Sequence, residues 1–152
     1  MFKYLSIAIL ASLVFASCSA KKVNLLSDES LYKLGLENTK VKSVVLNNEV
    51  VGILNITYLN PTNPQKYDTK YNEFLVGFYF EDNSENYYLN QNNQKYITKE
   101  LLKKDTKLYK NIPSFNTYAK YYIVKFKKTT SKKLVINLKY KNSNTSVIFD
   151  NY

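Results

Sequence analysis

The chain of 152 residues has no histidine and no tryptophan, and since all 22 of its basic residues are lysine, it has no arginine either. Without histidine, the Ser-His-Asp and Cys-His arrangements of nucleophilic hydrolases cannot be assembled. Zinc sites built from histidine and cysteine are excluded for the same reason. A pair of carboxylates or a Ser-Lys dyad is compatible with the composition, but no motif points to either. We therefore predict a protein that is not an enzyme and that uses no cofactor or metal ion.

The chain has one cysteine, Cys18. A single cysteine cannot form a disulfide within the chain, so packing alone must stabilise the fold. Residues 18–152 are enough for one domain with a sizeable core. We expect a single domain.

The first residues have the pattern of a signal peptide. Lys3 gives the start a positive charge, and residues 5–15 form an apolar run interrupted only by Ser6 and Ser12. Eleven helical residues rise about 16 Å, roughly half the thickness of the hydrocarbon core of a membrane. The run is therefore too short for a spanning helix and is typical of the apolar core of a signal peptide.

Residues 13–18, Leu-Val-Phe-Ala-Ser-Cys, close this run and resemble the lipobox of bacterial lipoproteins. In that family a peptidase cuts just before the cysteine, whose thiol carries lipid with acyl chains such as palmitate. The resemblance implies a signal peptide at residues 1–17, a tether at 18–25 that begins with lipidated Cys18, and a domain at 26–152.

The residue after Cys18 bears on location. Ser19 stands there, where lipoproteins retained at the inner membrane of two-membrane bacteria usually carry aspartate. The resemblance therefore implies an outer-membrane lipoprotein, on either the periplasmic or the surface face, held firmly by two or three acyl chains. The alternative is an ordinary secretory signal cleaved near residues 16–20, which leaves Cys18 without lipid.

From residue 41 onwards, apolar and polar residues alternate with the period of two that is typical of half-buried strands. Turn signals, such as Asn47-Asn48, separate these runs about every eight to twelve residues. The pattern predicts an all-β fold, an antiparallel β-sandwich of seven or eight strands with one or two short helices. It resembles immunoglobulin domains in pattern only, and a closed barrel is the alternative. The predicted strands are residues 41–46, 50–59, 73–80, 118–127, 134–140 and 145–149.

The run at 73–80 is the clearest of these, since three phenylalanines share one of its faces and are expected in the core. That face consists of Phe74, Val76, Phe78 and Phe80.

Several shorter predictions complete the secondary structure. A first helix is expected to begin at Ser27 or Asp28 and to be weakened or ended by Gly35, and a loosely docked segment is the alternative. A second helix is expected to begin at Thr98 and to run to Leu102. A strand is predicted at 106–109, and further turns at 112–114 and 142–144. The acidic residues 81–86 are expected at a solvated hairpin tip, because their spacing does not match a calcium-binding EF-hand.

Residues 60–72 contain two prolines and are predicted to form a long loop. Long loops often carry binding residues, so Tyr67 and Tyr71 are candidate contacts for a protein partner. The alternative is that both rings pack over the edge of the sandwich.

Positive charge is concentrated late in the chain, where residues 99–141 contain thirteen lysines but only two acids, Glu100 and Asp105. Alternation predicts that four of these lysines form one positive face around Tyr121. Such a face attracts anionic lipid, lipopolysaccharide or acidic glycan. Sequence-specific nucleic acid is not expected without arginine, and the alternative role of the lysines is solubility and protection of edge strands. The four are Lys120, Lys125, Lys127 and Lys139.

Taken together, these patterns favour a non-enzymatic envelope lipoprotein that acts as a protein-interaction module, as an assembly factor or an adhesin does. Its partners would be the membrane, through the lipid, and an envelope or surface protein. The alternative function is binding of anionic lipid or glycan through the lysine-rich face.

Overall fold

A computed structural model describes residues 28–63, 66–67, 70–83, 85–106, 108, 112 and 115–151. The predicted signal peptide, the lipobox with Cys18 and the tether lie outside the described residues. Within them, no helix combines the length and the apolarity that crossing a membrane requires. The described elements are helix α1 (Asp28–Glu37) and strands β1 (Thr39–Leu46), β2 (Glu49–Tyr58), β3 (Tyr71–Phe80), β4 (Tyr87–Gln91), β5 (Gln94–Lys95), β6 (Thr98–Leu101), β7 (Lys120–Lys127), β8 (Lys133–Tyr140) and β9 (Ser143–Asp150).

The strands form two antiparallel sheets, which confirms the predicted all-β sandwich. The first sheet has the order β1-β2-β3-β7-β6, and the second has the order β5-β4-β8-β9. No pairing joins the two sheets among the described strands, so the barrel alternative is wrong. The order also differs from the ABED and CFG sheets of seven-stranded immunoglobulin domains, so the likeness to immunoglobulin domains is limited to the two-sheet arrangement.

The main core lies between the sheets and is built from alternate residues of their facing sides. The predicted stripe of β3 is buried there, as expected. The ring of Phe74 contacts rings from both sheets, with centroid distances of 4.9 Å to Tyr58 and 5.6 Å to Phe149. Leu134, Ile136 and Leu138 of β8 complete the core from the second sheet.

Asparagine pairs make two of the tight hairpins. Asn47 and Asn48 have φ values of 52° and 67°, and Asn92 and Asn93 have φ values of 48° and 66°. Positive φ at both central residues defines the type I′ turn, whose twist matches that of the paired strands, and asparagine tolerates this region better than most residues. The predicted turn at 47–48 is confirmed. The β8–β9 turn is formed by Lys141 and Asn142, earlier than the predicted 142–144, because Ser143 already pairs with Tyr140.

The first predicted helix is confirmed, and the second is wrong. Helix α1 continues through Gly35 to Glu37, because residues after it take up its last carbonyl groups: Asn38 donates to Leu34 O at 2.9 Å, and Thr39 donates to Gly35 O. Thr98 does not begin a helix. Residues 98–101 form β6 instead, since pairing with β7 outweighs the local capping pattern. Of the strand predicted at 106–109, only Thr106 and Leu108 are described, and neither is in a strand.

The acidic residues 81–86 do not form a hairpin tip. They connect β3 to β4, which lie in different sheets, so they cross one end of the sandwich. Asp82 is fixed there by Tyr140, whose hydroxyl donates to it at 2.5 Å, and by Lys141 Nζ at 2.9 Å. The segment is therefore a crossover held in place by these hydrogen bonds. Among the described residues, no group of three or more His, Cys, Asp or Glu side chains could hold a metal ion.

A second, smaller core covers the outer face of the first sheet. Leu59, Leu75, Ile112 and Tyr121 are buried in it, although β3 and β7 were expected to be half-buried strands. The connections after β2 and β6 supply the cover. The ring of Tyr121 lies directly on Gly77, where a Cβ atom would come within 2.5 Å of Cε1 of that ring.

Because that space is filled, we expect Gly77→Ala to lower the free energy of unfolding by about 1–3 kcal/mol, the usual cost of forcing an extra methyl group into a packed core. Urea denaturation measures the change. The exposed substitution Ser43→Ala on β1 is the control and should change stability by less than about 0.5 kcal/mol. Equal stability of the two variants would contradict the close packing of Tyr121 on Gly77.

Candidate interaction surface

The structure places the two predicted partner-binding tyrosines in half-buried positions. Tyr67 packs against the second core, and burial raises the pKa of its hydroxyl group. Tyr71 is the first residue of β3, and Lys125 Nζ lies 5.9 Å from the centroid of its ring. Both rings are thus used in packing, which was the alternative interpretation of this loop. Their role in binding a partner stays a prediction.

The four predicted anion-binding lysines do not lie on one face. Lys125 and Lys127 project from the outer face of the first sheet, and Lys120 lies at the opposite end of β7. Lys139 is on β8, in the second sheet. The expectation failed because β7 and β8 are consecutive in sequence but belong to different sheets. Lys120 and Lys125 also have acidic partners, Glu85 and, at 3.3 Å, Glu73.

A groove runs along the side of the sandwich where β6 ends and β7 begins. Its volume is about 470 Å³, and we call it the edge groove. A much smaller pocket of about 30 Å³ adjoins it and shares Glu85, Tyr118, Lys120 and Tyr122 with it. The edge groove is lined by residues 101–104 from the end of β6, by residues 117–122 from the start of β7, and by Glu85.

Two apolar side chains of this groove are unusually exposed. The exposed fraction is 81% for Tyr118 and 63% for Leu101, the two highest values among the exposed large hydrophobic residues that the structure describes. The Tyr118 ring is steadied by Tyr79, at a centroid distance of 6.2 Å. An exposed tyrosine and an exposed leucine beside one groove form a surface suited to contact with another molecule.

Next to the edge groove, a lysine lies between two tyrosines, one of which, Tyr122, also lines the groove. Lys99 lies opposite the core residue Val124 in the pairing of β6 with β7, so its side chain points inward. Its Nζ donates to the Tyr87 hydroxyl at 2.6 Å and lies 4.5 and 4.4 Å from the ring centroids of Tyr87 and Tyr122. These contacts fix three polar side chains in one arrangement beneath the exposed surface.

Burial has opposite effects on the charges of this cluster. It lowers the pKa of Lys99, because the charged amino group loses hydration. It raises the pKa of Tyr87, with smaller contributions from Tyr122 and Glu85, and it raises the pKa of Tyr122. Both phenols therefore stay protonated at neutral pH, which makes them hydrogen-bonding groups rather than bases.

An exposed ion pair crosses the boundary between the edge groove and the small pocket. Glu85 accepts a hydrogen bond from Lys120, which lowers the pKa of the carboxyl group and raises that of the amino group. Lys103 and Lys104 add two exposed positive charges on the other wall. The groove thus combines an apolar centre with a mainly positive rim.

Sequence reasoning missed this surface. The sequence pattern places Tyr118 at the start of a strand and Leu101 in a helix, and neither placement predicts an exposed apolar side chain. The alternation of β7 in fact begins only at Lys120, which leaves Tyr118 in the turn before it. Only the register of β6 on β7 brings residues 101 and 118 to the same groove, and that register is not visible in the sequence.

Comparisons of the chain with protein-family models, with curated protein sequences and with solved structures gave no significant match. The interpretation of the surface therefore depends on its own geometry.

The buried tyrosines predict a loss of stability at alkaline pH. Tyr58, Tyr67, Tyr87 and Tyr122 have pKa values raised above the ordinary 10.0, so above that pH the unfolded chain releases protons that the folded chain retains. The contribution of these tyrosines to stability is complete below pH 10 and is lost as pH rises through their pKa values in the folded state. Lys99 has the opposite effect on stability. Because its pKa is lowered in the folded state, its contribution to the free energy of unfolding increases with pH below 10.5.

We therefore expect the free energy of unfolding to fall steeply above pH 10 and to fall less steeply in Tyr87→Phe, since Tyr87 has the largest shift. Urea denaturation at a series of pH values, with tyrosinate absorbance recorded in parallel, measures both. Tyr88→Phe is the matched control, because the exposed Tyr88 next to Tyr87 should leave the wild-type slope unchanged. An equal slope in Tyr87→Phe and wild type would contradict the burial of the Tyr87 hydroxyl.

Proposed function

We propose that the protein is a lipid-anchored lipoprotein of the bacterial envelope, at the outer membrane, and that its sandwich is a non-enzymatic module for binding another protein. The resemblance of residues 13–18 to a lipobox supports the anchor, with the lipid on Cys18. The edge groove supports the binding role and gives it a location.

The observation that carries this proposal is that Leu101 and Tyr118, the two most exposed large apolar side chains described, line the same groove. Exposed apolar surface of this kind costs solubility, so it is usually kept for an interaction. Tyrosine is also among the residues enriched at the energetic centres of protein interfaces. The lysines of the rim favour a partner with acidic residues around an apolar contact.

The outer face of the second sheet provides the contrast. Its centre is occupied by a ladder of polar side chains, in which Asn137 Nδ2 donates to Asn90 at 3.0 Å and Ser146 donates to Asn137 at 2.7 Å. The large apolar side chains of this face, Tyr88 and Ile148, are 41% and 48% exposed, which is less than Tyr118 and Leu101 of the edge groove. The edge groove is therefore the stronger candidate of the two.

Anchoring is tested by Cys18→Ala. We expect the wild-type protein to fractionate with membranes and to carry acyl chains detectable by mass spectrometry, because two or three chains hold a protein firmly. The variant should lose the lipid. A wild-type protein without lipid on Cys18 would contradict the proposal.

Binding is tested with Tyr118→Ala and Leu101→Ser, introduced into the full-length protein and isolated from solubilised envelopes without cross-linking. Both residues are exposed, so we expect unchanged folding but loss of the partner that the wild type retains at high salt. Because an apolar contact is not screened by ions, the wild-type complex should survive where a purely ionic one would not.

Tyr88→Ala is the matched control, since Tyr88 is an exposed tyrosine of the second sheet with 41% of its surface accessible. This variant should retain the partner. Loss of the partner in Tyr88→Ala, or its retention in both groove variants, would overturn the assignment of the edge groove as the binding surface.

A further inference from the structure

One end of the sandwich carries a concentration of lysines that the linear sequence does not reveal. This end is where β2, β7 and β9 finish and where β1, β3 and β8 begin, as the pairs Tyr71 with Lys127 and Lys133 with Asp150 show. The two sheets end close to each other there, since Lys40 Nζ of β1 lies 5.5 Å from the centroid of the Phe149 ring of β9. We call it the basic end, and its exposed lysines are Lys40, Lys66, Lys70, Lys127, Lys128, Lys132 and Lys133.

Few of the described acidic side chains lie near these lysines. The described acidic side chains at this end are Glu37, Glu73 and Asp150. Glu73 is buried and pairs with Lys125, a further lysine of β7, while Asp150 pairs with Lys133. Among the described residues, the basic end therefore has an excess of positive charge.

The opposite end is close to balanced. It carries the acidic crossover, with Glu81, Asp82 and Glu85, and the exposed Glu49 of the first hairpin. Asp82 pairs with Lys141 and Glu85 with Lys120. The positive field of the domain is thus directed along the strands, out of the basic end.

The chain enters the fold at the basic end. Helix α1 is followed at once by Asn38, whose carbonyl accepts from Tyr58 N at 2.9 Å at the end of β2. Helix α1 begins at Asp28, ten positions after Cys18, and ten residue steps at full extension span at most about 33–36 Å. A lipid on Cys18 therefore holds the start of helix α1 within about 33–36 Å of the membrane surface, and the helix leads directly into the basic end.

From this we propose that the basic end docks on the anionic phospholipid headgroups of the membrane in which Cys18 is anchored. This inference rests on the lipid anchor of the proposed function and adds an orientation to it. The edge groove opens at the opposite end, where β6 finishes and β7 begins, so docking turns the groove away from the membrane and towards a partner.

The chemistry fits headgroups better than a single bound ion. The lysines lie on several separate connections, and each presents a hydrated point charge on a flexible stem rather than a shaped pocket. A flat field of phosphates can satisfy such a set together, whereas one phosphate cannot. The tether strengthens the contact further, because it makes docking an intramolecular step with a high effective concentration.

The test uses the lipidated full protein with one introduced cysteine, which is the only free thiol once Cys18 carries lipid. Thr130→Cys places a fluorophore at the basic end, and Val50→Cys places it at the opposite end, both at exposed positions. The protein is inserted into phosphatidylcholine vesicles with or without phosphatidylglycerol, and with a lipid whose headgroup carries a spin-label quencher. We expect strong quenching at residue 130 with phosphatidylglycerol, little at residue 50, and no such difference without the anionic lipid.

Lysine variants then test the cause. Replacing Lys127, Lys128 and Lys132 with glutamine should reduce quenching at residue 130 to the level of neutral vesicles. High salt should do the same, because the screening length falls from about 8 Å at physiological ionic strength to about 3 Å at 1 M. The matched control replaces Lys103, Lys104 and Lys139 with glutamine and should quench like wild type. Equal quenching at both positions, or no effect of the first triple variant, would overturn the proposal.

Failure of the anchor is distinguished from failure of docking. If mass spectrometry finds no lipid on Cys18, the proposed function fails, and docking is measured by sedimentation of the protein with the same vesicles. Stronger sedimentation with phosphatidylglycerol that is lost in the first triple variant would still support the basic end as a headgroup-binding surface. Equal sedimentation of both triple variants would overturn it.

Discussion

The burial of β3 on both of its faces is the constraint on which the rest of the structure depends. Its phenylalanine face joins the two sheets, and its other face, with Leu75 and Gly77, receives the second core. A strand buried on both sides must lie in the middle of its sheet, so β2 and β7 are fixed on either side of it. The positions of the connections follow, and with them the two surfaces of functional interest.

Those surfaces are separated by the length of the strands. The edge groove, with its exposed Leu101 and Tyr118, opens at the end where β7 begins, and the lysines of the basic end surround the place where β7 finishes. An apolar contact surface at one end and a positive field at the other suit a domain that stands between a membrane and a partner. Neither surface requires a chemical reaction, which is consistent with the proposed binding role.

Much of the fold could be predicted from the sequence because alternation is a local property. The phenylalanine stripe, the asparagine turn at 47–48 and the sandwich class all depend on residues that are neighbours in the chain. Strand partners are not local. The proposed lysine face failed at that step, because β7 and β8 look like a hairpin in sequence but belong to different sheets. The edge groove was missed for the same reason, since it depends on the register of β6 on β7.

The inward position of Lys99 has a consequence for contacts between copies of the protein. Strand β6 is an edge of its sheet, and an unprotected edge invites a second copy to add its own strand and start an aggregate. A charged side chain on the core-facing side of such an edge makes that extension unfavourable, because a continuous apolar interior cannot form across the junction. The lysine that lies between two tyrosines therefore also disfavours the addition of a second copy at β6.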